Sequence, residues 1–272
     1  MSTTTTRTRF AASADGTSIA YDTTGSGPAL VLVDGALCQR AMGPARPLAE
    51  ALSDGFSVTA YDRRGRGESG PAEGPPSVRR EVEDLAAVVD AVGGHAHVFG
   101  SSSGAALALR AAGQGLAVDR LVAYEAPYVV DGTGTPAPAD AIGQIQRMVD
   151  NGKRGDAVRF FLTMVGAPGP MVAIMRLFPV WRKMTAVAHT LPWDLTVMDG
   201  RMRGEPLPEG YFAEVTAPTL VIAGGKSPAS MRNAQAAVAA QLGKGRLAVL
   251  EGQTHMIKPK VTAPAVRAFL AG

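Results

Sequence analysis

The spacing of apolar and polar residues changes period along the chain, and each change marks an element. Short extended runs come first, around Thr17 to Asp22, then Ala29 to Val33 after the turn Gly25-Ser26-Gly27-Pro28, and later Ser57 to Tyr61. Between Val78 and Val92 the period becomes helical, with Val82, Leu85, Val88, Val89 and Val92 falling on one face. An apolar run His97 to Phe99, a helix from about Ser103 and a run Leu121 to Tyr124 follow. Strands alternating with helices require a parallel sheet covered by helices, so the expected fold class is α/β with a mostly parallel central sheet.

From Tyr128 to Ala213 the alternation stops. Helical stretches rich in Met and aromatic residues are broken at Gly152, at Ala167-Pro168-Gly169-Pro170, at Pro179 and at Leu191-Pro192-Trp193. Alternation then resumes with a strand Pro218 to Ala223, a helix Ala229 to Leu242, a strand Arg246 to Leu250 and a last helix Thr262 to Leu270. The expected organisation is one core built from residues 1–127 and 214–272, carrying residues 128–213 as an inserted helical cap. A chain of 272 residues suits one core with an insertion better than two independent domains.

Composition agrees with a globular protein, since 46% of residues are apolar and 19% charged. The pI near 9.2 looks basic, yet the formal charge is only +3 and Lys and Arg are scattered, so nucleic acid is not an expected partner. No stretch approaches the length of a membrane span, and the opening MSTTTTRTRF lacks the apolar segment of a secretory signal, so a cytoplasmic location is expected. The single cysteine, Cys38, excludes an internal disulfide and Cys₄ or Cys₂His₂ metal sites. Oligomeric state is not readable from these patterns.

The sharpest chemical signal is Gly100-Ser101-Ser102-Ser103-Gly104, a G-x-S-x-G segment between an apolar strand and an alanine-rich helix. A strand turning sharply into a helix would hold Ser102 in a strained, exposed position, with glycines relieving the crowding. The helix N-terminus behind it would direct the Ser103 N–H at a developing oxyanion. A tight strand–helix turn, even one for phosphate, would use the same small residues, so the motif needs context. A serine hydroxyl needs a base, and His255 in Gly252-Gln253-Thr254-His255-Met256 lies between the last strand and the last helix. His95, His97 and His189 read as surface or packing residues.

With these residues in view, the chain resembles the α/β-hydrolase superfamily over essentially its whole length. Four motifs carry the resemblance: Val31-Leu32-Val33-Asp34-Gly35-Ala36, Tyr61-Asp62-Arg63-Arg64-Gly65-Arg66-Gly67-Glu68-Ser69, the segment around Ser102, and Gly252-Gln253-Thr254-His255. The resemblance implies Ser102 as nucleophile, His255 as its base, and the N–H of Ala36 as a second oxyanion donor opposite that of Ser103. It also casts the Asp62 segment as an ion-paired loop holding the sheet edge. Two departures stand out. Many members carry His-Gly where this chain has Asp34-Gly35; Asp34 is expected to hydrogen-bond within its own loop, the alternative being a substrate donor. In many relatives the triad aspartate follows the strand that reads Leu220 to Ala223 here, but Gly224-Gly225-Lys226-Ser227-Pro228 holds no carboxylate. Some relatives, including a group of haloalkane dehalogenases, place a glutamate after the strand that follows the nucleophile helix, and Glu125 matches that position. The alternatives are a structural role for Glu125 and Asp131 as the acid. Dehalogenation does not carry over, because those enzymes use an aspartate nucleophile.

The expected activity is that of a serine hydrolase acting on a small apolar ester, thioester or lactone through an acyl-enzyme, without metal or organic cofactor. A lyase, isomerase, cyclase or carbon–carbon bond hydrolase on the same fold is the first alternative, and a small-molecule receptor the second. Of the cap residues Phe160, Phe161, Met164, Met171, Met175, Phe178, Trp181, Met184 and Trp193, most are expected to be core and a minority to face substrate. Cys38 is expected to be a small buried residue.

Overall fold

The sheet sets the frame for everything that follows. In a computed structural model, which describes residues 7–272, eight strands lie in the order β1-β2-β4-β3-β5-β6-β7-β8. They are β1 (Arg9–Ala12), β2 (Ser18–Thr24), β3 (Ala29–Val33), β4 (Ser57–Tyr61), β5 (Ala96–Ser101), β6 (Val118–Tyr124), β7 (Thr219–Gly224) and β8 (Gly245–Leu250). The first two pair antiparallel with each other, and β2 pairs antiparallel with β4; the remaining pairings are parallel. Strands β5 and β7 are buried at every position, as strands covered on both faces must be, and their sequences are correspondingly continuous rather than alternating. The edge strand β8 alternates, exposing Leu247 and Val249.

Helices α1 (Ala45–Leu52) and α10 (Pro259–Ala271) cover one face, where Leu48, Leu52, Val266 and Leu270 pack on Leu30, Leu32, Phe99 and Ile222. The other face carries α2 (Val78–Ala91) and α3 (Ser103–Gly113). Along α3, Ala105 to Leu109 are all buried, because alanines let the helix lie close against the central strands. The buried stripe of α2 includes Glu81 and Asp84 as well as Leu85, Val88 and Val89, and those two carboxylates persist there because each faces an arginine from the loop after β4. Helix α9 (Ala229–Ala240) packs on β7 and β8.

Between β6 and β7 the chain forms helices only: α4 (Ala141–Asp150), α5 (Arg154–Met164), α6 (Gly169–Met175), α7 (Pro179–Ala186), a 3₁₀ turn Ala188–Thr190 and α8 (Leu191–Thr196). Prolines occupy the first turns of α6, α7 and α8, where the missing N–H costs nothing, so the breaks read from the sequence are helix starts. The aromatic and Met residues of this insertion are less buried than expected. Phe161, Met184 and Trp193 are buried, but Met171 is 48% exposed, because short α6 packs only its Val172 side inward, and Phe178, the residue before α7, is 56% exposed. Among the described residues no helix is long and apolar enough to cross a membrane. The expectation drawn from the opening MSTTTTRTRF falls, for residues 1–6, outside the described residues.

The expected strand–helix alternation is what the structure contains, with three differences. Helix α1 (Ala45–Leu52) stands between β3 and β4, where the sequence pattern predicts only extended runs. Strand β1 lies ahead of the expected extended runs; it has four residues, with Phe10 on its solvent face. The last helix begins at Pro259, three residues before the expected start, again because proline suits a first helical turn.

Candidate active site

Open parallel sheets bind ligands outside the carboxyl ends of their strands, at the point where the chain's direction of progression reverses. That point here lies between β3 and β5, since β4 lies to one side of β3 and β6 continues on the other side of β5. The Asp34-Gly35-Ala36 turn follows β3 and Ser102 follows β5, so the two sequence motifs flank it.

Ser102 takes φ 54° and ψ −126°, a conformation an L-residue rarely adopts. The surrounding glycines are required by contact. A Cβ on Gly100 would lie 2.4 Å from the Gly104 carbonyl oxygen, and a Cβ on Gly104 would lie 2.2 Å from that of Val33, so neither position admits a side chain. Gly35 meets Ser102 itself: a Cβ there would lie 2.8 Å from Ser102 Cβ and 3.4 Å from its Oγ. The 34–36 turn therefore runs directly against Ser102. The Ser102 N–H donates to the Tyr124 carbonyl at 2.9 Å, which fixes the elbow to the end of β6.

Glu125, the next residue, also has positive φ, 46°, which turns its side chain off the strand end. Its carboxylate is fully buried; Oε2 lies 2.9 Å from His255 Nδ1, and Oε1 accepts the Gly224 N–H at 2.7 Å. Burial pushes the Glu125 carboxyl up, but the hydrogen bonds from His255 and the Gly224 N–H outweigh it and hold the group below its ordinary value. A carboxylate at Nδ1 fixes the tautomer with the proton on that nitrogen and leaves Nε2 to accept another. The His255 loop is tied down by buried Gln253, whose carbonyl accepts the Lys226 N–H at 2.8 Å, and by the Tyr124 hydroxyl, which donates to the Thr254 carbonyl at 2.6 Å. The His255 side chain itself is 42% exposed, so the imidazole, though not its carboxylate partner, is open to solvent.

Asp131 is placed elsewhere. It accepts the Thr133 N–H at 2.9 Å and an Asn233 amide N–H at 2.7 Å, closing a local turn rather than meeting His255. His95 is exposed beside Asp119, His97 packs edge-on to Phe56, and His189 lies beside Gly65. Cys38 is half-buried rather than buried as expected, and burial of its thiol, with Asp34 adding to the effect, pushes that group up to about 12.

Asp34 meets the loop expectation only in part. Among the described residues its Oδ2 is buried without a partner, and burial raises the group to about 7 against the opposing pull of Arg66, of a hydrogen bond from the Ala45 N–H where the same loop ends, and of Arg63. The loop after β4 also does more than hold a sheet edge. Asp62 pairs with Arg40, and Arg64 with Asp84 and Asp15, as such a loop should. Arg63 and Arg66, however, reach Asp194 on α8 at 2.7 and 2.6 Å. The sequence alone marks neither Arg66 nor Asp194 as part of a site. Arg66 stands in an arginine-rich motif, but Asp194 has no local pattern, since its partners lie more than 90 residues away.

A groove of about 450 Å³ crosses the insertion, lined by Pro136, Met148, Asp156, Arg159, Phe160 and Met164 among others. None of Ser102, Glu125 and His255 borders it, so it is a feature of the insertion rather than of this cluster. Among the described residues no three His, Cys, Asp or Glu side chains are grouped to hold a metal ion.

Known proteins share this geometry's framework. A structure of an alpha/beta hydrolase from Sphaerobacter thermophilus is 46% identical, covers 96% of this chain and 100% of its own, and superposes with a TM-score of 0.89. A thermophilic esterase from Thermogutta terrifontis is 21% identical over 97% of this chain and 98% of its own, with a TM-score of 0.70. An enol-lactonase from Burkholderia xenovorans is 19% identical over 97% of this chain and 100% of its own, with a TM-score of 0.71; these two share the fold. The profile of the alpha/beta hydrolase family matches residues 11–265, and with a 46% identical relative aligned along nearly its full length the chain belongs to that family.

Proposed function

We propose that the protein is a serine hydrolase that cleaves a small apolar ester, thioester or lactone through an acyl-enzyme. The observation that carries this reading is the buried Glu125 carboxylate 2.9 Å from His255 Nδ1, one residue beyond the strand end that hydrogen-bonds the Ser102 backbone. His255 Nε2 removes the Ser102 proton as Oγ attacks the substrate carbonyl carbon, and the N–H groups of Ala36 and Ser103 stabilise the oxyanion. Collapse of the tetrahedral intermediate expels the alcohol or thiol, which takes its proton from His255. Water, deprotonated by His255, then attacks the acyl carbonyl and restores Ser102. Glu125 stabilises the imidazolium in each half-reaction and does not itself take the proton.

Residues 128–213 act as a cap on this site; support comes from Asp194, which reaches from the insertion to Arg63, Arg66 and Ser103. The single free cysteine is compatible with a reducing, cytoplasmic setting. The test is stopped-flow hydrolysis of short-chain p-nitrophenyl esters. A burst of p-nitrophenol stoichiometric with enzyme, absent in Ser102→Ala, is expected. Equal turnover by the folded Ser102→Ala protein would overturn the acyl-enzyme and favour chemistry of another kind on the same fold.

A further inference from the structure

We propose that Asp194 is a positioning residue that sets the direction of both oxyanion donors from the insertion. The proposal rests on the serine-hydrolase reading above, which makes Ala36 and Ser103 those donors.

Asp194 Oδ2 receives Arg66 at 2.6 Å, and the same guanidinium donates from its other terminal nitrogen to the Gly35 carbonyl at 2.7 Å and the Cys38 carbonyl at 3.2 Å. Its Nε donates to Thr190 Oγ1 at 3.0 Å, so two insertion residues grip one arginine. Asp194 Oδ1 receives Arg63 at 2.7 Å and the Ser103 hydroxyl at 2.7 Å, while Arg63 also donates to the Asp34 carbonyl at 3.4 Å and to Ser103 Oγ at 3.1 Å. One carboxylate thus holds both arginines that bind successive carbonyls of the 34–36 turn, and holds the side chain of the residue that supplies the other donor.

Planarity of the peptide converts this grip into direction. In a trans peptide the C=O and the following N–H point opposite ways, so fixing the Gly35 carbonyl on Arg66 fixes the Ala36 N–H away from Arg66. Gly35 approaches Ser102 closely enough to exclude a side chain, which puts the Gly35–Ala36 peptide beside the nucleophile. A flipped peptide would turn the Gly35 carbonyl lone pairs toward the site and remove the donor. Asp194 is buried, and although burial pushes its carboxyl up, Arg66 and Arg63 outweigh that and keep it ionised below its ordinary range, so the clamp is charged wherever the protein is folded near neutrality.

The experiment compares Asp194→Asn with Asp84→Asn. Asp84 is a matched control: it is equally buried and pairs with a buried arginine, Arg64, but no contact joins it to the turn. Backbone amide resonances and exchange rates of Ala36 and Ser103 are read by NMR alongside kcat and KM for p-nitrophenyl butyrate. Expected for Asp194→Asn are displaced Ala36 and Ser103 resonances, faster Ala36 exchange, and kcat reduced roughly ten- to hundredfold with KM nearly unchanged, since losing one oxyanion donor outright lowers kcat about 10²–10³-fold. Asp84→Asn should lower the melting temperature comparably while leaving those amides and kcat in place. Arg66→Lys, which keeps the charge but loses the fork, provides the second variant, with the same signs. The amide readout does not depend on hydrolysis. Unmoved Ala36 and Ser103 amides in both variants would overturn the positioning role, and amides that move while acylation keeps its rate would overturn the proposal through its premise, the donor role of Ala36.

Discussion

Replacing Asp34 by asparagine should remove much of the protein's loss of stability between mildly acidic and mildly alkaline pH. Asp34 is 5% exposed, and its Oδ2 has no hydrogen-bond partner among the described residues, so the ionised form forgoes hydration that the fold only partly replaces. Burial raises the group from 3.8 to about 7 in the folded chain. A carboxyl whose folded value is raised binds its proton more tightly when folded, so its contribution is most favourable below pH 3.8 and is lost as pH rises to about 7. Between pH 5 and pH 8 about two pH units of that loss remain, and at roughly 1.4 kcal/mol per unit this amounts to about 3 kcal/mol. The amide of Asp34→Asn cannot ionise and carries no such loss. The assay is urea unfolding of wild type and Asp34→Asn at pH 5 and pH 8, followed by tryptophan fluorescence. Contributions from other titrating groups are common to both chains and cancel in the double difference. Asp34→Asn should gain about 2–3 kcal/mol relative to wild type on going from pH 5 to pH 8. An unchanged difference would refute the picture of an unpartnered, proton-binding carboxyl behind the turn.

Glu125→Gln keeps the shape of the acid but loses the charge that stabilises the imidazolium, and should lower kcat for ester hydrolysis by about 10³–10⁴-fold, measured at constant pH with KM as the control. Gly35→Ala places a Cβ 2.8 Å from that of Ser102, so the turn must shift by several tenths of an ångström and kcat/KM should fall at least about tenfold in a protein that remains folded by circular dichroism. Asp84→Ala leaves buried Arg64 without its principal partner and should destabilise the chain by about 3–5 kcal/mol in denaturant unfolding without affecting the catalytic rate of the folded fraction.

The parts legible in the sequence are those whose cause is local. The central strands announce themselves as apolar runs because both faces of β5 and β7 are covered, and α2 does so through Leu85, Val88 and Val89 on one stripe. The G-x-S-x-G segment is legible because the sharp turn at Ser102 forces glycine at positions 100 and 104, where any Cβ would meet backbone. What escapes the sequence depends on distance. Asp194 follows Trp193 in a short helix with nothing to distinguish it from a solvated acid, and its meaning comes only from Arg63, Arg66 and Ser103 converging on it. Asp34 escapes for the opposite reason: loop acids usually find loop donors, and only the packing of Gly43 and Cys38 around its carboxyl, with Oδ2 2.8 Å from where a Gly43 Cβ would stand, leaves that oxygen without one among the described residues. The exposure of Met171 likewise reflects how the short helix α6 docks, which residue type alone does not determine.

The central claim is that Ser102 forms a covalent intermediate, and intact-mass spectrometry after treatment with a fluorophosphonate tests it most directly. One adduct per chain is expected, localised by peptide mapping to Ser102, formed far more slowly in Glu125→Gln and absent in Ser102→Ala. A folded wild-type protein that gains no adduct, or an adduct that persists in Ser102→Ala, would contradict the account.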